Sequence, residues 1–409
     1  MMPQILKGIK VFDFGWAMMG GQATKLLADF GADVVKLESM THVDFMRTNG
    51  FLRSCTSRNN PNDKPYSSWL NTSKYGLAMN TKNPAAKEVI AEYYKWADVV
   101  FENFSPGKID KQGFGYEFAK SVNPDIIFCH ASIYGQTGPL SRQAGTDGMG
   151  SSVGCHRGLT GWPDRTPVPN SPMVFGDMLT PLICASGIIA ALDYRRRTGK
   201  GQEIDFAMLD VISMKAAPLV LDYAANGHVT SRDGNHVPYA SPHAAFPCRG
   251  EDRWCAIAVY KDEEWPLLCK AMGDPEWSRK EEYKSFEGRK ADQDFIEEQI
   301  GRWTVDWDPQ ELMEYLQSRG VPAGAVQNLE ELIDVDPLLK ERGYFVPLDH
   351  PEQGVIPHPR PPYILSKVPV EQNMTAGPWI GEHSFETATK FAGLSDERFV
   401  ELDKEGLFV

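Results

Sequence analysis

Cysteine is scarce in this 409-residue chain. The seven at Cys55, Cys129, Cys155, Cys184, Cys248, Cys255 and Cys269 form an odd, scattered set without a C-x-x-C pair. That excludes a disulfide framework and suits reduced thiols in a reducing compartment, where the sequons at Asn71, Asn103 and Asn373 carry no meaning. Positive charge is in deficit: Lys plus Arg is 42 against 55 for Asp plus Glu, a formal net charge of -13. No global field therefore favours nucleic acid or an anionic membrane, and any polyanionic ligand must be met by a local basic site. No run approaches the roughly 18 uninterrupted apolar residues of a spanning helix, since LTPLICASGIIAALDY meets Asp193. The opening MMPQILKGIKVFDFG lacks the apolar core and cleavage site of a secretory signal. A cytoplasmic protein, with neither membrane nor nucleic-acid partner, is the expectation.

Hydrophobic residues make up 42% and charged residues 24%, the composition of a folded globular chain. The length suggests two or three domains at roughly 150 residues each. The first 140 residues alternate short apolar runs with helical patterns. Ile9–Phe14 reads as a strand, followed by glycines and by an amphipathic helix that stops at Gly31. Ala32–Glu38 is the next strand. After a polar stretch over 39–75, a helix spans Pro84–Trp96, and strands follow over Ala97–Phe104 and Asp125–Ser132. Such alternation implies right-handed crossovers and a parallel, Rossmann-like sheet. Residues 136–176 read as a long irregular segment of the functional kind. An apolar helix, expected over Pro181–Arg196, leads to a strand, QEIDFAM. From about 225 the pattern changes to an antiparallel hairpin around Gly250-Glu251-Asp252 and then amphipathic helices. The expected organisation is a large Rossmann-like domain from residues 1–224 and 331–409, and a small α+β domain from 225–330.

Several motifs are better read structurally than chemically. FGWAMMGG departs from G-x-G-x-x-G and is a tight turn that needs small residues rather than a dinucleotide fingerprint. Thr198-Gly199-Lys200-Gly201 is a helix end, and no phosphate-binding P-loop occurs. Gly150-Ser151-Ser152-Val153-Gly154 matches G-x-S-x-G but lacks the strand a nucleophile elbow requires. Neither H-E-x-x-H nor C-x-x-C is present, so no metal is expected. Thr180-Pro181 is a helix start by local chemistry, which puts Asp177 just outside a helix N-terminus. There the partial positive charge and unpaired N–H groups favour an ionised carboxylate and can stabilise an oxyanion formed on it. The same placement suits a residue that merely supports the helix end.

LKGIKVFDFGWAMMGGQATKLLADFGADVVKLES, ADVVFENFSPG, IYGQTGPLSRQAGTD, Gly176-Asp177 and RRRTGKGQEIDFAMLD occur in the order and spacing of the class III CoA-transferases. The chain resembles this family, which holds formyl-CoA transferase, carnitine CoA-transferase and the α-methylacyl-CoA racemases, through residues 5–225 and again in VPAGAV, IPHPRPP and IGEHS. The resemblance implies a large domain built from both chain ends, a smaller one between, and two subunits threaded through each other, identical or related. Asp177 matches the family's catalytic Asp. Asn103, Phe104 and Gly107 match the ENF-x-PG turn that lines the CoA site, and Lys111 falls where a basic residue nears the nucleotide phosphates. Ala17, Met18 and Gly20 fall on the loop beside the thioester. Lys36 and Glu38 match only a strand end and stay outside the expected site.

A carboxylate suits CoA transfer because it can hold first the acyl group and then the thiol; no resident cofactor is required, and CoA and its thioesters are substrates. The rival within the family is the racemase, in which a His precedes the Asp of the segment matching Gly145-Thr146-Asp147. Thr146 stands there in this chain and cannot act as a base near neutral pH. His156, ten residues on, is expected at the surface. The region GNHVPYASPHAAFPC lacks the glycine-rich loop that closes over the Asp in formyl-CoA transferase. Trp16, Met18, Met19, Tyr134 and Trp162 suggest a pocket for an aromatic or branched acid, such as an arylsuccinate. A non-catalytic CoA-binding subunit is the remaining alternative.

Overall fold

The computed structural model describes residues 4–48, 59–168, 174–369 and 373–409. Cys55 lies outside them, and the other six cysteines are free.

The chain divides into two compact units. The first comprises residues 1–157, 169–229 and 340–409, and the second residues 158–168 and 230–339.

The first unit is built on six strands: β1 (Lys10–Asp13), β2 (Asp33–Glu38), β3 (Tyr75–Ala78), β4 (Val99–Glu102), β5 (Ile127–Ser132) and β6 (Gln202–Ala207). They run in the order β3-β2-β1-β4-β5-β6, every pair parallel. β4 and β5 are buried along their whole length, as strands covered on both faces must be. One face packs on Phe12, Phe14, Ile90, Tyr93 and Tyr94. The other carries Val11, Met19, Leu27, Cys184 and Ile188. The order reverses between β1 and β4, the crevice where open α/β sheets take ligands. A two-stranded antiparallel sheet, β10 (Phe345–His350) with β11 (Gly354–Pro359), also belongs to this unit.

Three sequence expectations need correction. The four-residue β3 sits at the end of what reads as a polar stretch; YGLA is too short and glycine-diluted to stand out. The segment 136–176 contains a helix, Asp147–Val153, and a 3-10 turn, His156–Leu159. The GSSVG match lies mostly on that helix, so no nucleophile elbow exists. The long helix spans Phe175–Thr198 and begins six residues before Pro181, which lies inside it. A proline has no N–H to give the carbonyl four residues back, here Asp177, so the second turn of this helix lacks one rung. This helix is long and apolar enough to cross a membrane by length and composition. It packs instead along the helix Ala17–Asp29, with Cys184, Ala185, Ile188 and Ala191 buried in the core of the sheet.

The second unit holds an antiparallel sheet in the order β7-β8-β9: β7 (His243–Pro247), β8 (Trp254–Ala258) and β9 (Ala323–Ala325). Helices with Trp265, Leu268, Ile296, Ile300, Leu312 and Leu316 form its core. Arg289, fully buried, donates to the carbonyls of Ser241 and Tyr283 and to Asp262.

Candidate active site

The carboxyl ends of β1 and β4 supply the first part of the site. After β1 the chain turns sharply at Gly15-Trp16 and enters the helix at Ala17, which has φ +60°. Such a conformation strains a residue with a Cβ. Four contacts hold it. Asp13 accepts the Gly15 N–H at 2.7 Å, and Lys36 Nζ donates to the Gly15 carbonyl at 2.5 Å. Asp44 accepts the Ala17 N–H at 2.9 Å, and Asn103 binds both polar groups of the Trp16 backbone. A Cβ on Gly20 would fall 2.6 Å from Asn103 Oδ1, so only glycine lets helix and turn approach this closely.

Lys36, excluded from the expected site, therefore buttresses the loop from below. Glu38, also excluded, forms a bidentate pair with Arg47. Lys74, buried beside them, donates to Asp13 at 3.0 Å and to the Gly21 carbonyl at 2.8 Å. Burial outweighs the pull of Asp13 and lowers its pKa to about 8.

The turn after β4 contributes Asn103 and Phe104. The Phe104 ring meets Trp16 edge-on at 6.1 Å between centroids, and Lys108 Nζ lies 4.7 Å from its centre. Gly107 precedes the short helix Lys108–Lys111. Lys111 is exposed, and Lys108 is the lysine that reaches the aromatic turn. Met18 is half-buried on the first helical turn, and Tyr134 is half-buried just past β5. Met19 is core rather than pocket wall.

Asp177 lies in the first turn of the helix Phe175–Thr198, not outside it. Asp147, fully buried, accepts the N–H of Gly176 at 2.5 Å and that of Asp177 at 3.3 Å; Ser151 donates to both of its oxygens at 3.2 Å. A Cβ on Gly176 would come within 2.5 Å of Asp147 Oδ1, which accounts for the glycine before Asp177. These N–H groups are thus spent on a carboxylate rather than left for an oxyanion. The titration also runs opposite to the expected one. Desolvation, then the charge of Asp147, raises the pKa of Asp177 to about 7. Burial, and then the charge of Asp177, push the Tyr66 phenol up to about 12.

Sequence reasoning missed Tyr66, Lys74 and the capping role of Asp147, for nothing local marks them. His156 is half-buried and stacked on Phe175, with centroids 4.0 Å apart, rather than at the surface. Thr146, at the racemase base position, is exposed.

The family model described as CoA-transferase family III matches residues 6–384. The chain is 32% identical to succinate–glutarate CoA-transferase of Agrobacterium fabrum, over 92% of this chain and 93% of that protein. It is 29% identical to succinyl-CoA–D-citramalate CoA-transferase of Chloroflexus aurantiacus, over 97% and 96%. The crystal structure of a CAIB/BAIF family protein from Brucella suis superposes with a TM-score of 0.86 at 30% identity, over 95% of this chain and 99% of that one. With a switch-point crevice between β1 and β4 and a family match along most of its length, the chain belongs to CoA-transferase family III and is an enzyme that moves CoA between acyl-CoA thioesters and carboxylic acids.

Proposed function

We propose that the transfer runs through a covalent Asp177–CoA thioester. The observation that carries this reading is the placement of Asp177: a carboxylate on a glycine-started first turn, held at its backbone by Asp147 and desolvated enough to titrate at about 7. An oxygen of ionised Asp177 attacks the donor thioester carbon; the C–S bond breaks, giving a mixed anhydride and CoA thiolate. The thiolate attacks the Asp177 carbonyl and expels the donor acid, leaving aspartyl-CoA. The acceptor carboxylate attacks that thioester and releases thiolate, which takes the acceptor acyl group and regenerates Asp177. No proton or electron is consumed, and desolvation makes the carboxylate a stronger nucleophile than one in water.

Ala17, Met18, Gly20, Asn103, Phe104, Gly107, Lys111 and Tyr134 form the CoA and thioester side of the site in this reading, with Lys36 and Lys108 added. The donor is succinyl-CoA, supported by two relatives whose names carry succinate or succinyl-CoA. Their partner acids, glutarate and D-citramalate, support a dicarboxylic acceptor, and Trp16 supports a branched or aromatic one such as an arylsuccinate. The first unit, residues 1–157, 169–229 and 340–409, then acts as the CoA-binding domain and the second, 158–168 and 230–339, as the smaller one. The enzyme works in the cytoplasm as an interlocked dimer of identical or related chains. The helix Ala217–Asn226, none of whose residues is buried, with Leu221 67% and Tyr223 60% exposed, supports a partner subunit on that face. Incubation with succinyl-CoA, followed by peptide mass spectrometry, tests the mechanism: CoA should be found on the peptide holding Asp177. Turnover without that adduct, and unimpaired in Asp177→Ala, would overturn it.

A further inference from the structure

Beneath the Asn103–Phe104 turn, three acidic and basic side chains from three neighbouring strands form a line from solvent to the turn. Glu102 on β4 is 1% exposed and His130 on β5 is 3% exposed. One Glu102 oxygen accepts the Phe104 N–H at 2.7 Å, and the other lies 2.5 Å from His130 Nδ1. The opposite ring nitrogen, Nε2, lies 3.0 Å from Glu203 on β6, whose side chain is 48% exposed. Both imidazole nitrogens thus face carboxylate oxygens. Only the imidazolium can donate to both; the neutral ring must turn a lone pair toward one of them. The neutral ring that keeps Nδ1–H on buried Glu102 turns its Nε2 lone pair to Glu203, so deprotonation removes the Glu203 bond and the charge assistance that tightens the bond to Glu102.

We infer that His130 is a positioning residue for CoA binding: protonated, it fixes Glu102, which fixes the Phe104 N–H and through the turn the Asn103–Trp16 clamp, and its deprotonation loosens acyl-CoA binding. This rests on the reading of the Asn103–Gly107 turn as part of the CoA site. Burial by itself lowers the His130 pKa, but the hydrogen bond and charge of Glu102, with those of Glu203, outweigh it and raise the pKa above the usual value. The other groups near Glu102 are Tyr94 and Cys129. Tyr94 lies within reach of both carboxylates, Glu102 and Asp110, and donates its hydroxyl to the Phe114 carbonyl. Burial pushes the Tyr94 phenol and the Cys129 thiol well up, so both stay neutral through the range in which His130 titrates. His130 is then the member of this group that changes charge as pH rises from neutrality.

The test uses the full-length enzyme and CoA itself. Calorimetry should show the Kd for CoA rising about fivefold between roughly pH 6.5 and pH 9 in the wild type, while His130→Gln binds weakly and with a clearly flatter profile. A His130→Gln profile that follows the wild type would overturn the inference. Because that variant can fail to fold, a second measurement uses the wild type alone. Binding linkage requires CoA to raise the midpoint of the His130 ring titration followed by NMR, and an unmoved midpoint would overturn the inference. Asn103→Ala separates the two readings. If it weakens CoA binding while neither His130 signal moves, His130 has no positioning role and the turn remains a CoA site. If Asn103→Ala leaves CoA binding unchanged, the turn is not a CoA site and the inference falls with it.

Discussion

Asn103 and Trp16, 87 residues apart in sequence, exchange two hydrogen bonds: the Trp16 N–H donates to Oδ1 at 2.7 Å, and Nδ2 donates to the Trp16 carbonyl at 2.9 Å. The pair closes the switch point of the sheet by joining the ends of β1 and β4. Asn103→Asp keeps the size and the acceptor but loses the second donor, a loss of about 1–3 kcal/mol for a carbonyl left unpaired. Steady-state kinetics of that variant should show the KM for acyl-CoA raised roughly tenfold, with kcat much less affected.

The titration of Asp177 sets the acid side of the activity profile. The attacking form is the carboxylate, so kcat/KM should fall as pH drops through about 7. Stability runs the other way. A carboxyl whose pKa is raised by folding contributes stability below its unfolded value of 3.8, and that contribution is lost as pH rises through about 7. Asp177→Asn should therefore abolish transfer while raising Tm at about pH 8 and leaving it nearly unchanged near pH 4; thermal melts at the two pH values check the sign.

Asp147 acts on Asp177 in two ways, by accepting two N–H groups and by adding negative charge. Asp147→Asn retains an acceptor oxygen and removes the charge. The acid limb of the profile should move to lower pH, and kcat at its plateau should drop by roughly tenfold as the turn loosens. An unmoved limb would count against the assignment of Asp147 as the charge that faces Asp177.

By the sequence resemblance, Thr146 takes the place where a racemase carries its base. The wild type should exchange no α-proton of a 2-methylacyl-CoA with deuterated solvent on the timescale of CoA transfer. Thr146→His is the informative variant, since it restores the residue type found at this place in racemases; exchange by the wild type itself would contradict the transferase reading.

If two chains interlock, they bury far more than a standard interface of roughly 1,600 Å² and cannot separate while folded. Light scattering over a dilution series should report a dimer throughout. A folded monomer at low concentration would disprove interlocking.

Much of the parallel layer was legible because buried strands and amphipathic helices write their periods plainly, as in Lys10–Asp13, Asp33–Glu38 and Ala86–Trp96. The start of the helix Phe175–Thr198 was not, because Thr180-Pro181 is a strong local signal that tertiary packing overrides. The same reason hid the titration of Asp177. Helix-end electrostatics argue for a readily ionised carboxylate, but burial of the side chain, and then the charge of Asp147 30 residues away, push its pKa up. Lys36 was set aside and Lys74 missed because a lysine in or beside a strand ordinarily points to water, and only the fold shows Lys36 on the Gly15 carbonyl and Lys74 on Asp13 and the Gly21 carbonyl.

Pro181 gives the helix Phe175–Thr198 two mechanically distinct parts. The proline offers no N–H to the Asp177 carbonyl, so one of the rungs joining the reactive turn to the shaft below is missing. It is fastened crosswise instead, through Asp147. Changes in the shaft, at Cys184, Ile188 or Ala191, will be felt as altered melting, whereas changes beneath the turn will be felt as altered turnover. A single helix in this way separates what keeps the enzyme folded from what makes it work.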